Sequence, residues 1–227
     1  MTTEAHARYN EEVQRYEQIQ QLLDTIQAGY FDLPDKAKEN VLFISDLYAL
    51  MSVMTAVERV ERAFPQAIDA ETEAEYRDVY DEHTILFHNN KAKYSFQNTE
   101  EVDYSLQREM IDNGEIDRVH QYKADNVNGL GVVKAAFSLA MIGFTEKMCI
   151  DTHVASYFGI DERDAEVDTV AEYERLCGSL RSKDPFLAHE TSPYLFQWVV
   201  FDTDRDDGVT EHSRWFKTIS EFVDINV

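Results

Sequence analysis

Apolar residues recur along this chain at helical spacing, and alternation at the strand period is scarce. From Thr3 to Gln27, the residues Tyr9, Val13, Tyr16, Ile19, Leu22, Leu23 and Ile26 line one face of a polar segment, which predicts an amphipathic helix. Gly29 and Pro34 mark a break. A long helix is expected from Asp35 through Leu47 to Ala63, interrupted near Asp46 and ended by Pro65. Further helices are expected over 72–79, over 81–97 with a break at His88-Asn89-Asn90, over 100–113 and over 115–123. Asn113-Gly114 reads as a turn. The apolar run Ala135 to Ile142 has helical length, and Gly143 is placed to end it. Asp151 opens a short helix that Gly159 closes, and 168–178 is helical. Tyr194 to Phe201 fits either a helix or a buried strand. Asp202 to Asp207 with Gly208 reads as a polar loop before a last helix over 211–222. The pattern as a whole predicts an all-α fold, without internal repeats or low-complexity tracts.

Composition narrows this picture. A chain of 227 residues with 44% hydrophobic content suffices for one domain or for two small lobes sharing a cleft. No apolar run approaches the length of a membrane span. The start, Met1 to His6, is polar and acidic and does not read as a signal peptide. Two cysteines without a framework predict an intracellular protein with free thiols, Cys149 being a packed core residue. Seven histidines show no metal-ligand spacing, so no metal site is expected.

The charge is strongly one-sided: 44 acids against 21 bases give a net −23. The acids are dispersed along the chain, which fits adaptation to molar salt in a halophilic archaeon or a virus of one. A competing reading is an acidic protein that mimics DNA or binds basic partners. Against this background, residues 126–145 contain no Asp or Glu, and five lysines (Lys91, Lys93, Lys123, Lys134, Lys147) fall between 91 and 147. A phosphate-binding surface accounts for that window; so does a buried helix.

The candidate chemistry lies in the same window. Asn128-Gly129-Leu130-Gly131 is a Gly-x-Gly turn that opens an apolar helix, an arrangement that offers backbone N–H groups to a phosphate. Asp151 follows twenty-two residues after Gly129, at the start of the next helix. It reads either as a helix cap or as a carboxylate acting on the owner of the phosphate. Lys134 reads equally as a phosphate contact and as a solvated surface lysine, and His153 as a packing or hydrogen-bonding residue.

This combination resembles the helix-hairpin-helix DNA glycosylases, the superfamily that includes endonuclease III-like enzymes. Their hairpin reads roughly Leu-Pro-Gly-x-Gly-x-Lys-(Thr/Ala)-Ala, with Val-Asp-Thr-His-(Val/Ile) about twenty residues later. Gly129 and Gly131 fill the glycine positions, and residues 150–154 read Ile-Asp-Thr-His-Val. The likeness runs from about Val41 to Gly159 and includes the Lys91-Ala92-Lys93 segment. The resemblance implies a middle lobe over about 41–145 and a second lobe over about 1–40 plus 146–227, with double-stranded DNA and a flipped base meeting at the cleft near Asp151. Asp151 would stabilise the oxocarbenium-like sugar or activate the nucleophile. Asn128, Gly129, Leu130 and Gly131 would hold a phosphate, with a monovalent cation at the hairpin as an option. Lys134, Lys91 and Lys93 would touch the DNA backbone.

Three departures qualify the resemblance. The Pro position is Asn128, the lyase Lys position is Val133, and two cysteines cannot supply the four that an iron–sulfur loop needs. Lys134 lies one residue on, about 100° around a helix, and does not replace the missing amine. The expectation is therefore a monofunctional DNA base-excision repair glycosylase without a cofactor, cytoplasmic or, if viral, carried in a virion. The alternative is a catalytically inactive DNA-binding or structural protein that keeps the fold. Lesion-reading side chains are not readable from the pattern; Gln97, Tyr122, Phe196, Gln197 and Trp198 are the candidates.

Overall fold

The computed structural model describes residues 4–161 and 167–205. Among the described residues there are thirteen helices and no strand. In chain order they are α1 (Glu4–Glu11), α2 (Val13–Asp32), α3 (Asp35–Met51), α4 (Val57–Ile68), α5 (Glu73–Glu82), α6 (His88–Glu101) and α7 (Tyr104–Asp112). There follow α8 (Ile116–Asn126), α9 (Val132–Met141), α10 (Thr152–Tyr157), α11 (Val170–Lys183), α12 (Pro185–Glu190) and α13 (Pro193–Arg205). The chain forms two compact units, Phe31–Ser138 and Met1–Tyr30 with Leu139–Val227; the division falls within α2 and α9. Among the described residues no helix is long and apolar enough to cross a membrane.

In the Phe31–Ser138 unit, α3 packs against α4, α6 and α7. Its Leu42, Leu47, Tyr48, Leu50 and Met51 are buried, each contributing roughly 1.5–3 kcal/mol by leaving water. Tyr48 meets Phe64 of α4 edge to face at 5.0 Å. The interruption expected near Asp46 does not occur: α3 runs through Asp46, whose carboxylate is met inside the unit by Lys123 and Ser138. The chain leaves the helix at 52–56 instead. Pro65 does not end its helix but lies inside α4, between the fully buried Phe64 and the fully buried Ala67. The apolar face of that last turn offsets the hydrogen bond that proline removes. Thr72 and Glu75 form a reciprocal capping box at the start of α5.

The other unit joins α1 and α2 to the C-terminal helices. Here α13 packs against α1, α10 and α12, and α11 against α12. Tyr16 of α2 donates from Oη to Asp202 Oδ2 of α13 at 2.9 Å, and His6 of α1 bonds Asp184. The 194–201 run is helical, with Leu195, Phe196, Val199 and Val200 buried. The short α12 has no apolar period to announce it; Asp184 caps it and Pro185 supplies its first residue. Gly143 ends α9 with φ +94°, and a Cβ there would come within 2.6 Å of the Leu23 carbonyl of α2. The helix expected over 211–222 lies outside the described residues.

Candidate nucleic-acid interface

The hairpin between α8 and α9 is a tight turn. Leu130 N–H donates to the Val127 carbonyl at 3.1 Å, and the third residue of the turn, Gly129, has φ +82°. A Cβ at Gly129 would lie 2.6 Å from Leu50 Cδ1 and 2.8 Å from Tyr94 Cδ2, so both the backbone and the packing require glycine. Gly131 is different. Its φ is outside the left-handed region, it is exposed, and a Cβ there would meet nothing within 4 Å. Gly131 immediately precedes α9 and has no side chain to cap it. The first amides of that helix have no acceptor within the helix, and the positive end of the helix dipole lies at this end. Leu130 is buried and anchors the turn.

Three buried groups hold the two arms. Asp46 Oδ1 accepts from Lys123 Nζ of α8 at 2.6 Å and from Ser138 Oγ of α9, with Ser45 Oγ 3.1 Å from Ser138 Oγ. Burial pushes the Lys123 amine down and the Asp46 carboxylate opposes that shift. His120 Nε2 lies 2.8 Å from the carbonyl of Val132, the first residue of α9. Asn98 of α6 grips the turn itself: Asn128 N–H donates to its Oδ1 at 2.8 Å, and its Nδ2 donates to the Asn128 carbonyl at 3.1 Å. The Val127, Asn128 and Gly131 carbonyls each accept one hydrogen bond, from Leu130 N–H, Asn98 Nδ2 and Ala135 N–H in turn.

The lysines divide. Lys93 is exposed. Lys134 is half-buried, its Nζ 3.3 Å from Ser52 Oγ and 4.8 Å above the Phe137 ring. Lys91 is interior. It donates to the carbonyls of Met51 at 2.9 Å and Val53 at 2.6 Å, and to Thr55 Oγ1 at 3.0 Å. Burial and the nearby Lys134 push it down to about 8. Its amine caps the end of α3, with its donors directed to the interior and not to a phosphate.

Lys91 also braces two loops that the sequence pattern does not single out. Thr55 Oγ1 accepts from Leu86 N–H at 3.3 Å, tying 52–56 to 83–87. Among the described residues, the three non-glycine positions with left-handed backbone are Met54, Thr84 and Phe87, all on these loops. Met54 is 73% exposed and Phe87 56% exposed, with the exposed Leu86 beside them. Met54 and Phe87 thus combine a large exposed apolar side chain with a strained backbone.

In the other unit, seven non-helical residues separate Gly143 from Asp151, and five of them (Phe144, Lys147, Met148, Cys149, Ile150) are buried. Tyr173 of α11 pins Met148 twice, accepting from its N–H and donating to its carbonyl, both at 2.8 Å. Gln197 of α13 accepts from Cys149 N–H at 2.6 Å, and Lys147 pairs with Glu174 at 2.6 Å. Asp151 follows as the N-cap of α10; its Oδ1 accepts from His153 N–H at 3.0 Å and Val154 N–H at 3.1 Å. Its side chain is half-buried, and among the described residues nothing donates to Oδ2. His153 packs edge to face on Phe201 at 4.6 Å. Phe196, Gln197 and Trp198 are buried, Gln197 serving the Cys149 amide. Among the described residues no group of three His, Cys, Asp or Glu could hold a metal ion.

The fold is that of the helical DNA glycosylases. It is similar to the Methanocaldococcus jannaschii 8-oxoguanine glycosylase/lyase, whose structure is a complex with a 15mer DNA containing 8-oxoguanine. The TM-score is 0.66 at 12% identity, over 90% of this chain and 96% of that one. It is also similar to the 8-oxoguanine DNA glycosylase of Thermotoga maritima, with a TM-score of 0.64 at 15% identity over 88% and 93% of the two chains. No family model matches the sequence, and no curated protein matches it.

Proposed function

We propose that this chain is a base-excision DNA glycosylase that hydrolyses the N-glycosidic bond of a damaged base in duplex DNA without cutting the strand. It works inside a halophile's cell or in the virion of a halophile's virus. The observation that carries the reading is the state of Asp151. One carboxylate oxygen is committed to the helix cap, and the other has no donor among the described residues. The segment leading to it is fixed by Tyr173, Gln197 and Lys147.

As the bond from C1′ to the base nitrogen lengthens, its electron pair leaves with the base and positive charge develops on the sugar. A fixed carboxylate stabilises that charge, or takes a proton from the water that adds to C1′. The products are the free base and an abasic sugar bearing a hydroxyl. Val133 carries no amine, so no Schiff base forms and no β-elimination follows. The amides from Gly131 onward take a phosphate, alone or with a monovalent cation, and Lys93 and Lys134 add backbone contacts. Phe87 and Met54 fill the gap in the stack left by a flipped nucleotide. Fixed amides suit molar salt, where counterion release contributes little to affinity.

The test is base release in molar KCl from duplexes carrying 8-oxoguanine, uracil, alkylated purines or mismatches. Release is expected without strand scission, falling by at least about a hundredfold in Asp151→Asn. That variant retains a good N-cap, so its melting temperature should stay near the parent's. A second reading, a DNA-binding protein without catalysis, draws on the capping role of Asp151 and the amine missing at Val133. Tight duplex binding with no release across the panel would establish it.

A further inference from the structure

The hairpin turn rests on one face of α6. Tyr94, Asn98 and Glu101, four and then three residues apart, present adjacent side chains along a helix. Tyr94 lies under Gly129, Asn98 grips both backbone groups of Asn128, and Glu101 Oε2 accepts from Asn128 Nδ2 at 3.2 Å. Asn98 is only 3% exposed, and its donor and acceptor ends both go to one residue of the turn.

The turn needs such a grip. Val127 is extended, with φ −88° and ψ 109°, Gly129 is left-handed, and the second residue, Asn128, does not have positive φ. This is the pattern of a type II turn, in which proline is favoured at the second position because its ring fixes φ. Extended backbone before that position also suits proline. Asparagine there leaves φ free and adds an N–H that must find an acceptor. Asn98 supplies that acceptor and returns a donor to the carbonyl.

We infer that Asn98 is a positioning residue for the hairpin: its double hydrogen bond fixes the turn that aims the Gly131 and α9 amides at a DNA phosphate. The ligand side of this inference rests on the DNA-binding reading proposed above; the turn-fixing side does not.

Two readouts on the full chain separate them: amide hydrogen exchange across 128–134, and binding of an undamaged duplex in molar KCl, each for the parent, Asn98→Ala, and Asn98→Ala combined with Asn128→Pro. Asn98→Ala leaves the Asn128 N–H without its partner; exchange at Leu130 should quicken and duplex affinity fall, each by roughly tenfold. The added proline removes the orphaned N–H and fixes φ, so the double variant should recover most of both losses. Thr99→Ala, exposed on the same helix, should change neither.

Unchanged exchange in Asn98→Ala, or losses that the proline does not recover, would overturn the inference. If Asn98→Ala fails to fold, a folded double variant supports it, and failure of both refutes a role confined to the turn. If the parent binds no duplex, the DNA reading fails and the aiming of amides at phosphate falls with it. The exchange data still decide the turn.

Discussion

Two helix starts, those of α9 and α10, solve the same problem in opposite ways. Each must satisfy backbone N–H groups that have no partner within the helix. At α10 the chain supplies its own acceptor, Asp151, which takes two of them. At α9 the preceding residue is Gly131, which has no side chain to supply one. The first start is locally complete and spends one oxygen of a carboxylate on structure. The second is incomplete by itself and is held from below by groups distant in sequence: Asp46, Asn98 and His120. The start of α9 therefore draws its support from the interior of its unit.

The comparison predicts where each start will fail. Lys123→Met should have the largest effect, because it leaves Asp46 charged and unpaired in the interior. Urea denaturation should show a loss of about 3–5 kcal/mol, mostly recovered by adding Asp46→Leu. Next come the two glycines of the turn. Gly129→Ala forces a Cβ into Leu50 and Tyr94 at a left-handed residue and should cost about 2–3 kcal/mol. Gly131→Ala meets open space and should stay within about 0.5 kcal/mol of the parent, yet weaken duplex binding. Equal stability losses at the two glycines would dissolve the distinction. The smallest effect is expected at α10, where Asp151→Ala removes a cap and should cost about 1 kcal/mol by thermal melting.

Much of this was legible in the chain and some of it was not, for physical reasons. The hairpin, the stop at Gly143 and the cap at Asp151 rest on residues adjacent in sequence, where glycine and aspartate have strong local preferences. The end of α3 does not. Nothing between 52 and 56 demands a break; the carbonyls released there are satisfied by Lys91, which follows Met51 by forty residues. The same lysine reads by composition as a phosphate ligand and is found spending its charge inside. Pro65 misleads because its helix is held by the burial of Phe64 and Ala67, a tertiary effect invisible to a local rule. Tyr173 and Gln197, which fix the approach to Asp151, lie on helices that look like ordinary core, and only the backbone atoms they meet reveal their use. Phe87 and Met54 could have been suspected only from their failure to fit an apolar face.

The open space before Gly131 has a consequence for ancestry. Selection for folding alone would hold position 129 and release position 131 to drift, since almost any small residue fits there. Among descendants of this chain, retention of glycine at 131 would therefore need a cause other than folding.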